Sequence, residues 1–117
     1  MASLSLRIDL GPHRIGPGKI ELLERIDAAG SISAAGRAMS MSYRRAWELV
    51  EEMNGLFAGP LVSARTGGRQ GGGTALTPLG HAVVASYRAI EQAATAATRQ
   101  QLAELEAELA PLPTAAE

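Results

Sequence analysis

The sequence predicts a mainly α-helical fold with a small β component: a winged helix-turn-helix carrying a long C-terminal dimerisation helix. Three observations carry this reading. Residues 31–54 hold a short amphipathic stretch, a break, and a second amphipathic stretch opened by a capping serine and two arginines. A glycine-rich segment, 67–73, lies between two short apolar runs. From Pro78 onward a helical pattern runs without interruption to Pro111.

The elements follow in order. Residues 3–10 alternate, with Leu4, Leu6, Ile8 and Leu10 on one face and Ser3, Ser5, Arg7 and Asp9 on the other. A period of two predicts a half-buried edge strand, ended by Gly11-Pro12. Gly16-Pro17-Gly18 then introduces a helix over 18–29, where Ile20, Leu23, Ile26 and Asp27 recur at helical spacing and Leu22 widens the apolar face. Gly30 is placed to stop it as a C′ glycine. Ser31 or Ser33 caps the next helix, 33–39, in which Ala34, Ala35 and Ala38 are small enough to let two helices cross closely.

The turn is Met39-Ser40-Met41, with Ser40 at a position of positive φ, at a cost of about 1 kcal/mol. Ser42 caps the second helix, about 42–57, whose inward set is Ala46, Leu49 or Val50, Met53 and Phe57. Gly59-Pro60 breaks it. Residues 61–66 and 74–77 read as strands joined by a flexible glycine tip, a wing. Thr77-Pro78 is an N-cap followed by proline at N1. A helix over 78–110 would be about 50 Å long, too long to pack wholly on a small domain. Its stripe of Val83, Tyr87, Ile90, Ala94, Ala97, Leu102, Leu105 and Leu109 predicts pairing with a second copy. The expected organisation is a DNA-binding unit over 1–77, a dimerisation helix over 78–110 and a disordered tail over 111–117.

Composition narrows the function. Aromatic residues are 3% of a chain that is 46% hydrophobic, which favours helices over a β-sandwich. There is no cysteine and only two histidines, so thiolate zinc sites, zinc fingers and disulfides are excluded, and no cofactor is expected. No apolar run approaches membrane-spanning length and no signal-peptide layout opens the chain; no membrane partner is expected, and the cytoplasm is the default location. The net charge of −1 hides an asymmetry. Residues 31–88 carry Arg37, Arg44, Arg45, Arg65, Arg69 and Arg88 against Glu48, Glu51 and Glu52, whereas beyond 88 Arg99 stands against a run of glutamates.

Concrete roles follow for the second helix. Ser42 and the free N–H groups of the first turn suit a phosphate. Tyr43 and Arg44 occupy the turn from which base edges are reached, and an arginine there can bond guanine O6 and N7 together. Arg45 suits a phosphate clamp. Trp47 either contacts thymine methyls or belongs to the core. The bland alternative for Arg44 and Arg45 is a solvated face paired to Glu48. Ser31 and Ser33 are caps first, which is compatible with phosphate contact. The glycine loop lacks the Gly-Lys-Ser/Thr ending of a nucleotide loop. It suits a wing, with Arg65 and Arg69 adding charge. No arrangement of His13, His81, Glu51 or Glu52 resembles acid–base machinery, so no enzyme is expected.

Gly30-Ser31-Ile32-Ser33, Met41-Ser42-Tyr43-Arg44-Arg45-Ala46-Trp47, Glu52-Met53-Asn54, Arg65-Thr66-Gly67-Gly68 with Gly71-Gly72-Gly73, and Leu76-Thr77-Pro78-Leu79-Gly80 resemble the N-terminal domain of ModE-type molybdate-responsive transcription regulators. More distantly they resemble the winged helix of LysR-type regulators. The likeness spans roughly residues 3 to 95. It implies a homodimer, joined through the first strand and the last helix, that reads a palindromic operator in double-stranded DNA. By position, the DNA-facing residues would be Ser42, Tyr43, Arg44, Arg45 and Trp47, with Arg65, Thr66 and Arg69 around the wing. Ser40 stands where the family usually has glycine. The family's molybdate sensor is a separate C-terminal domain for which 117 residues leave no room, so molybdate binding does not transfer. The chain reads as a stand-alone DNA-binding protein or a fragment, with Met1 and the Pro/Ala tail favouring the former. The alternative function is a winged-helix adaptor working with a separate sensor protein.

Overall fold

The computed structural model describes residues 1–65 and 73–111. The wing tip, with Thr66 and Arg69, and the tail from 112 lie outside the described residues, so the expectations for them are not addressed by it. The chain opens with a hairpin, β1 (Ile8–Leu10) and β2 (His13–Ile15), paired antiparallel with Ile8 opposite Ile15. Gly11 has φ +62° and Pro12 follows it, the sign pattern of a two-residue hairpin turn with glycine first. This corrects the strand expected over 3–10. Burial alternates as predicted from Ser3 to Ile8, but a ladder needs a partner, and β2 is only three residues long. The segment before β1 is held instead by the Tyr87 hydroxyl, which donates to the Leu6 carbonyl at 2.6 Å.

Three helices follow: α1 (Pro17–Ala29), α2 (Ile32–Ala38) and α3 (Tyr43–Asn54). Pro17 begins α1 and Gly30 ends it at φ +71°, its N–H bonded to the Ile26 carbonyl at 2.8 Å. Ile20, Leu22, Leu23 and Ile26 are fully buried, worth about 2 kcal/mol each. Ser31, not Ser33, caps α2, its Oγ accepting from the Ala34 N–H at 3.0 Å; the helix therefore starts a residue before the expected 33. Ser33 sits in its first turn. Ser40 has φ +57° as expected, and the bonds around it complete a Schellman motif: Met41 N–H to the Gly36 carbonyl at 3.0 Å and Ser40 N–H to the Arg37 carbonyl at 3.1 Å. The close crossing of α2 and α3 rests on Gly36, where a Cβ would lie 3.0 Å from the Ala46 Cβ, rather than on the exposed Ala38.

The helix expected to reach residue 57 ends at Asn54, because the Asn54 side chain turns to the next strand. Its Oδ1 accepts from the N–H groups of Leu61 and Val62 at 2.9 and 3.0 Å, and its Nδ2 donates to the Val62 carbonyl at 3.2 Å. The strands β3 (Val62–Arg65) and β4 (Gly73–Leu76) pair antiparallel with Val62 opposite Leu76. This ribbon directly follows the helix-turn-helix, the winged arrangement the sequence predicts. Its base is fixed to α1, where Asp27 Oδ1 accepts from the Leu76 N–H at 3.1 Å and the Gly30 carbonyl from the Thr74 N–H at 2.9 Å.

The terminal helix is not continuous. It comprises α4 (Pro78–Ala97) and α5 (Arg99–Ala107), broken at Thr98. The Thr98 hydroxyl donates to the Ala94 carbonyl at 2.7 Å, and its own N–H reaches Thr95 instead at 3.3 Å. A local side-chain bond thus competes with the backbone ladder, a signal that the apolar stripe masks. Thr77 caps α4 as expected, its Oγ1 accepting from the Gly80 N–H at 3.0 Å. Arg88 clamps α4 to α1 through two bonds to Glu24, at 2.7 and 3.1 Å, and also pairs with Glu91 at 2.8 Å; hydrogen bonding to Glu24 first, then to Glu91, raises its already high pKa further. No helix among the described residues is long and apolar enough to cross a membrane.

Candidate nucleic-acid interface

Helix α3 presents a buried face, an exposed crest and two flanks, and its sequence dictates them. Ala46, Val50 and Met53 recur at helical spacing and are buried against the core. Arg44, Glu48 and Glu51 lie opposite, on the exposed crest. Tyr43 and Trp47, one turn apart, form one flank, and Arg45 and Glu52 the other.

The crest begins with an open cation. The Arg44 side chain is 90% exposed, and its Nε is 3.9 Å from Glu48 Oε1. A pair that open to water contributes at most a few tenths of a kcal/mol, so little holds the guanidinium back from another acceptor. Ser42 caps the helix as predicted, its Oγ accepting from the Arg45 N–H at 3.1 Å. That leaves the N–H groups of Tyr43 and Arg44 without intrahelical partners, at the positive end of the helix dipole.

The wing-side flank resolves the two readings of Trp47. Its surface is 43% exposed and that of Tyr43 56%, so neither is a core residue. Both line a cleft of about 400 Å³ together with Ser31, Ser33, Gly73 and Thr74. Helix α2, helix α3 and the base of the wing therefore meet at one concave surface. The Thr74 hydroxyl is buried there without a hydrogen-bond partner among the described residues. Ser33 accepts from Arg37 Nη1 at 2.7 Å, which ties a further guanidinium beside the α2 N-terminus. Sequence reasoning missed Arg37 as a member of this surface. The signal was its place four residues after Ser33, one helical turn away.

The structure thus brings together Ser31, Ser33, Tyr43 and Trp47 in one cleft, with Ser42 and Arg44 at the adjoining end of α3. Arg45 points to the other side, into a groove bordered by the N-terminal hairpin. Arg65 ends β3, which places its backbone at the wing; Thr66 and Arg69 lie outside the described residues. Arg14, Lys19 and His13 also border the Arg45 groove and were missed. His13 and Arg14 became neighbours of α3 through the unpredicted strand β2, whereas Lys19 reaches it from the first turn of α1. Within this groove Lys19 Nζ lies 2.6 Å from Glu52, and that hydrogen bond holds the Glu52 carboxyl below the usual glutamate range.

Chemically, the surface offers hydrogen-bond donors of two kinds. Guanidinium groups sit on the crest and one flank of α3, and hydroxyl and backbone N–H donors gather at the starts of α2 and α3. An apolar pair of aromatic rings lies between them.

No protein-family model matches the chain. The molybdenum-pterin-binding protein MopB of Rhodobacter capsulatus is 49% identical over 78 residues, covering 67% of this chain and 29% of that protein. The molybdenum transport protein ModE of Azotobacter vinelandii is 45% identical over 91 residues, covering 78% and 33% respectively. The DNA-binding transcriptional dual regulator ModE of Escherichia coli K12 is 40% identical over 76 residues, covering 65% and 29%. The chain spans about a third of the length of these curated relatives. Within that shared segment the chain belongs to the family of ModE-type regulators.

Proposed function

We propose that this protein is a sequence-specific DNA-binding transcription regulator that works as a homodimer on a palindromic operator. The observation that carries the reading is the exposure of Tyr43, Arg44 and Trp47 at the start of a helix whose opposite face is locked into the core. An α-helix with its side chains is about 10–12 Å across and fits the major groove, which is about 12 Å wide. In this reading Arg44 reads guanine, Tyr43 and Trp47 supply apolar and stacking contact to bases, and Arg45 meets phosphate. Ser31, Ser33 and Ser42 offer hydroxyl and backbone donors to phosphate, and the wing, with Arg65, Thr66 and Arg69, lies along the neighbouring backbone.

A homodimer is supported by an apolar surface between other elements of the molecule. Leu10, Phe57, Val83 and Ile90 line a groove of about 330 Å³ between the hairpin and α4. Leu105 and Leu109 continue the exposed apolar surface beyond α4, at 68% and 72% exposed. We assign α4 and α5 to dimerisation and the preceding residues to DNA binding. A molybdenum-related set of target genes is supported by the names of the relatives.

Selection from a random duplex library with the purified protein, with and without molybdate, tests this. The expected product is a palindrome whose half-sites lie about 34 Å apart, one turn of the double helix. Enrichment of no sequence would overturn the reading in favour of a protein–protein adaptor, and a selected site unchanged after Arg44 and Arg45 are both neutralised would remove these two residues from the reading surface.

A further inference from the structure

The flank of α3 that faces away from the wing opens on a groove of about 560 Å³. Its other walls are the β1–β2 hairpin and the first turn of α1. Four cations, Arg7, Arg14, Lys19 and Arg45, face one carboxylate, Glu52. Two of the four are already engaged. Arg7 pairs with Asp9 at 3.2 Å, while Lys19 pairs with Glu52 at 2.6 Å and donates to the Arg14 carbonyl at 2.9 Å. Among the described residues neither Arg14 nor Arg45 has a carboxylate within ion-pair distance. Both are exposed. Two uncommitted guanidinium groups therefore face one groove from two different elements.

A helix seated in the major groove has a sugar–phosphate ridge on each side of it. The wing side, with Ser31 and Ser33 at the start of α2, offers hydroxyls to one ridge, and this flank of α3 offers guanidinium groups to the other. Arginine suits phosphate because its planar fork presents paired donors to two oxygens. We propose that the groove between the N-terminal hairpin and α3 is a second DNA contact, which grips the phosphate backbone on the side of the major groove opposite the wing. Arg14 and Arg45 are its phosphate ligands, and Glu52 moderates its strength by holding Lys19. The inference rests on the DNA-reading function proposed above. It assigns the hairpin, an element outside the helix-turn-helix and the wing, a part in binding.

The contact is to the backbone, so its loss weakens all sequences alike. Two variants of opposite sign test it. Each is titrated against a mixed-sequence duplex of about 30 base pairs, three helical turns, across a salt series. Arg14→Gln is expected to lower the slope of log affinity against log salt by about 0.9, the loss of one phosphate contact. Its deficit relative to wild type then shrinks about threefold on raising salt from about 50 to about 200 mM. Glu52→Gln frees Lys19 and is expected to tighten binding and steepen the slope by a similar amount, a gain that partial unfolding would not produce. An unchanged slope in both variants, while wild type binds the duplex and Arg44→Ala alters base preference, overturns this inference alone. Failure of the wild type to bind any duplex overturns it together with the function on which it rests.

Discussion

Replacing Asn54 by alanine should unfasten the wing from the reading helix, and the geometry sets the size of the effect. The side chain accepts from two backbone N–H groups, those of Leu61 and Val62, and donates to the Val62 carbonyl. Leu61 is fully buried and Val62 is 4% exposed, so water does not readily replace the lost acceptor. A buried donor left unsatisfied costs about 1–3 kcal/mol. Two of them give about 2–6 kcal/mol, a large part of the roughly 5–15 kcal/mol that stabilises a domain. Urea and thermal melts followed by circular dichroism, at one fixed protein concentration, measure it. Asn54→Ala is expected to melt about 10–20 °C below wild type. Asn54→Asp keeps the shared acceptor but turns a second carboxylate oxygen toward the Val62 carbonyl, so it should recover only part of the alanine loss. An alanine variant within about 0.5 kcal/mol of wild type, the range of ordinary surface substitutions, would refute the assignment of Asn54 as the fastener. So would an aspartate variant no more stable than the alanine one.

Other outcomes follow from the same coordinates. Arg44→Ala should reduce affinity for a selected operator by about 1–3 kcal/mol and flatten preference at one base position per half-site, read by competition binding. Gly80→Ala should destabilise severely, because a Cβ there would overlap the Leu61 carbonyl, a backbone group that also accepts from the Thr77 N–H at 2.9 Å; denaturant melts report it. The Lys19–Glu52 pair holds the Glu52 carboxyl below its ordinary value of 4.5, chiefly through the hydrogen bond. Its stabilisation is therefore complete above that value and disappears as pH falls through the depressed one. Glu52 is half-exposed, so the term is under about 1 kcal/mol. Glu52→Gln should accordingly be slightly less stable than wild type near neutral pH and equal to it in acid, by urea melts at both.

The helix-turn-helix was legible in the sequence because its entry, its turn and the start of its second helix are each written in one local residue. Gly30 stops α1, Ser42 caps α3 through its Oγ, and Ser40 takes the left-handed turn. What escaped depended on distant partners or on competition between local bonds. Strand β2 is three residues long and has too little sequence to show a period; it exists because Leu10 and His13 meet across a two-residue turn. The break at Thr98 arises from a hydroxyl that bonds the Ala94 carbonyl, while the apolar stripe continues across it. Asn54 looked like one more helical residue until β3 arrived beside it. The same division holds for the candidate site. Tyr43 and Arg44 follow from helical spacing within α3 alone, whereas Trp47 stayed between flank and core until the fold showed it exposed. Arg14 joins α3 only through the hairpin, Lys19 meets it from the first turn of α1, and Arg37 needed Ser33 to draw it in.

Trp47 is the sole tryptophan of the chain, and it stands on the flank of the proposed reading helix. Its fluorescence therefore reports on that surface directly, through quenching by acrylamide with and without a bound duplex. If α3 enters the major groove, saturating duplex should shield Trp47 from the quencher, and the shielding should fade as salt releases the DNA. A duplex that binds while leaving Trp47 as accessible to acrylamide as in the free protein would show that the nucleic acid lies elsewhere.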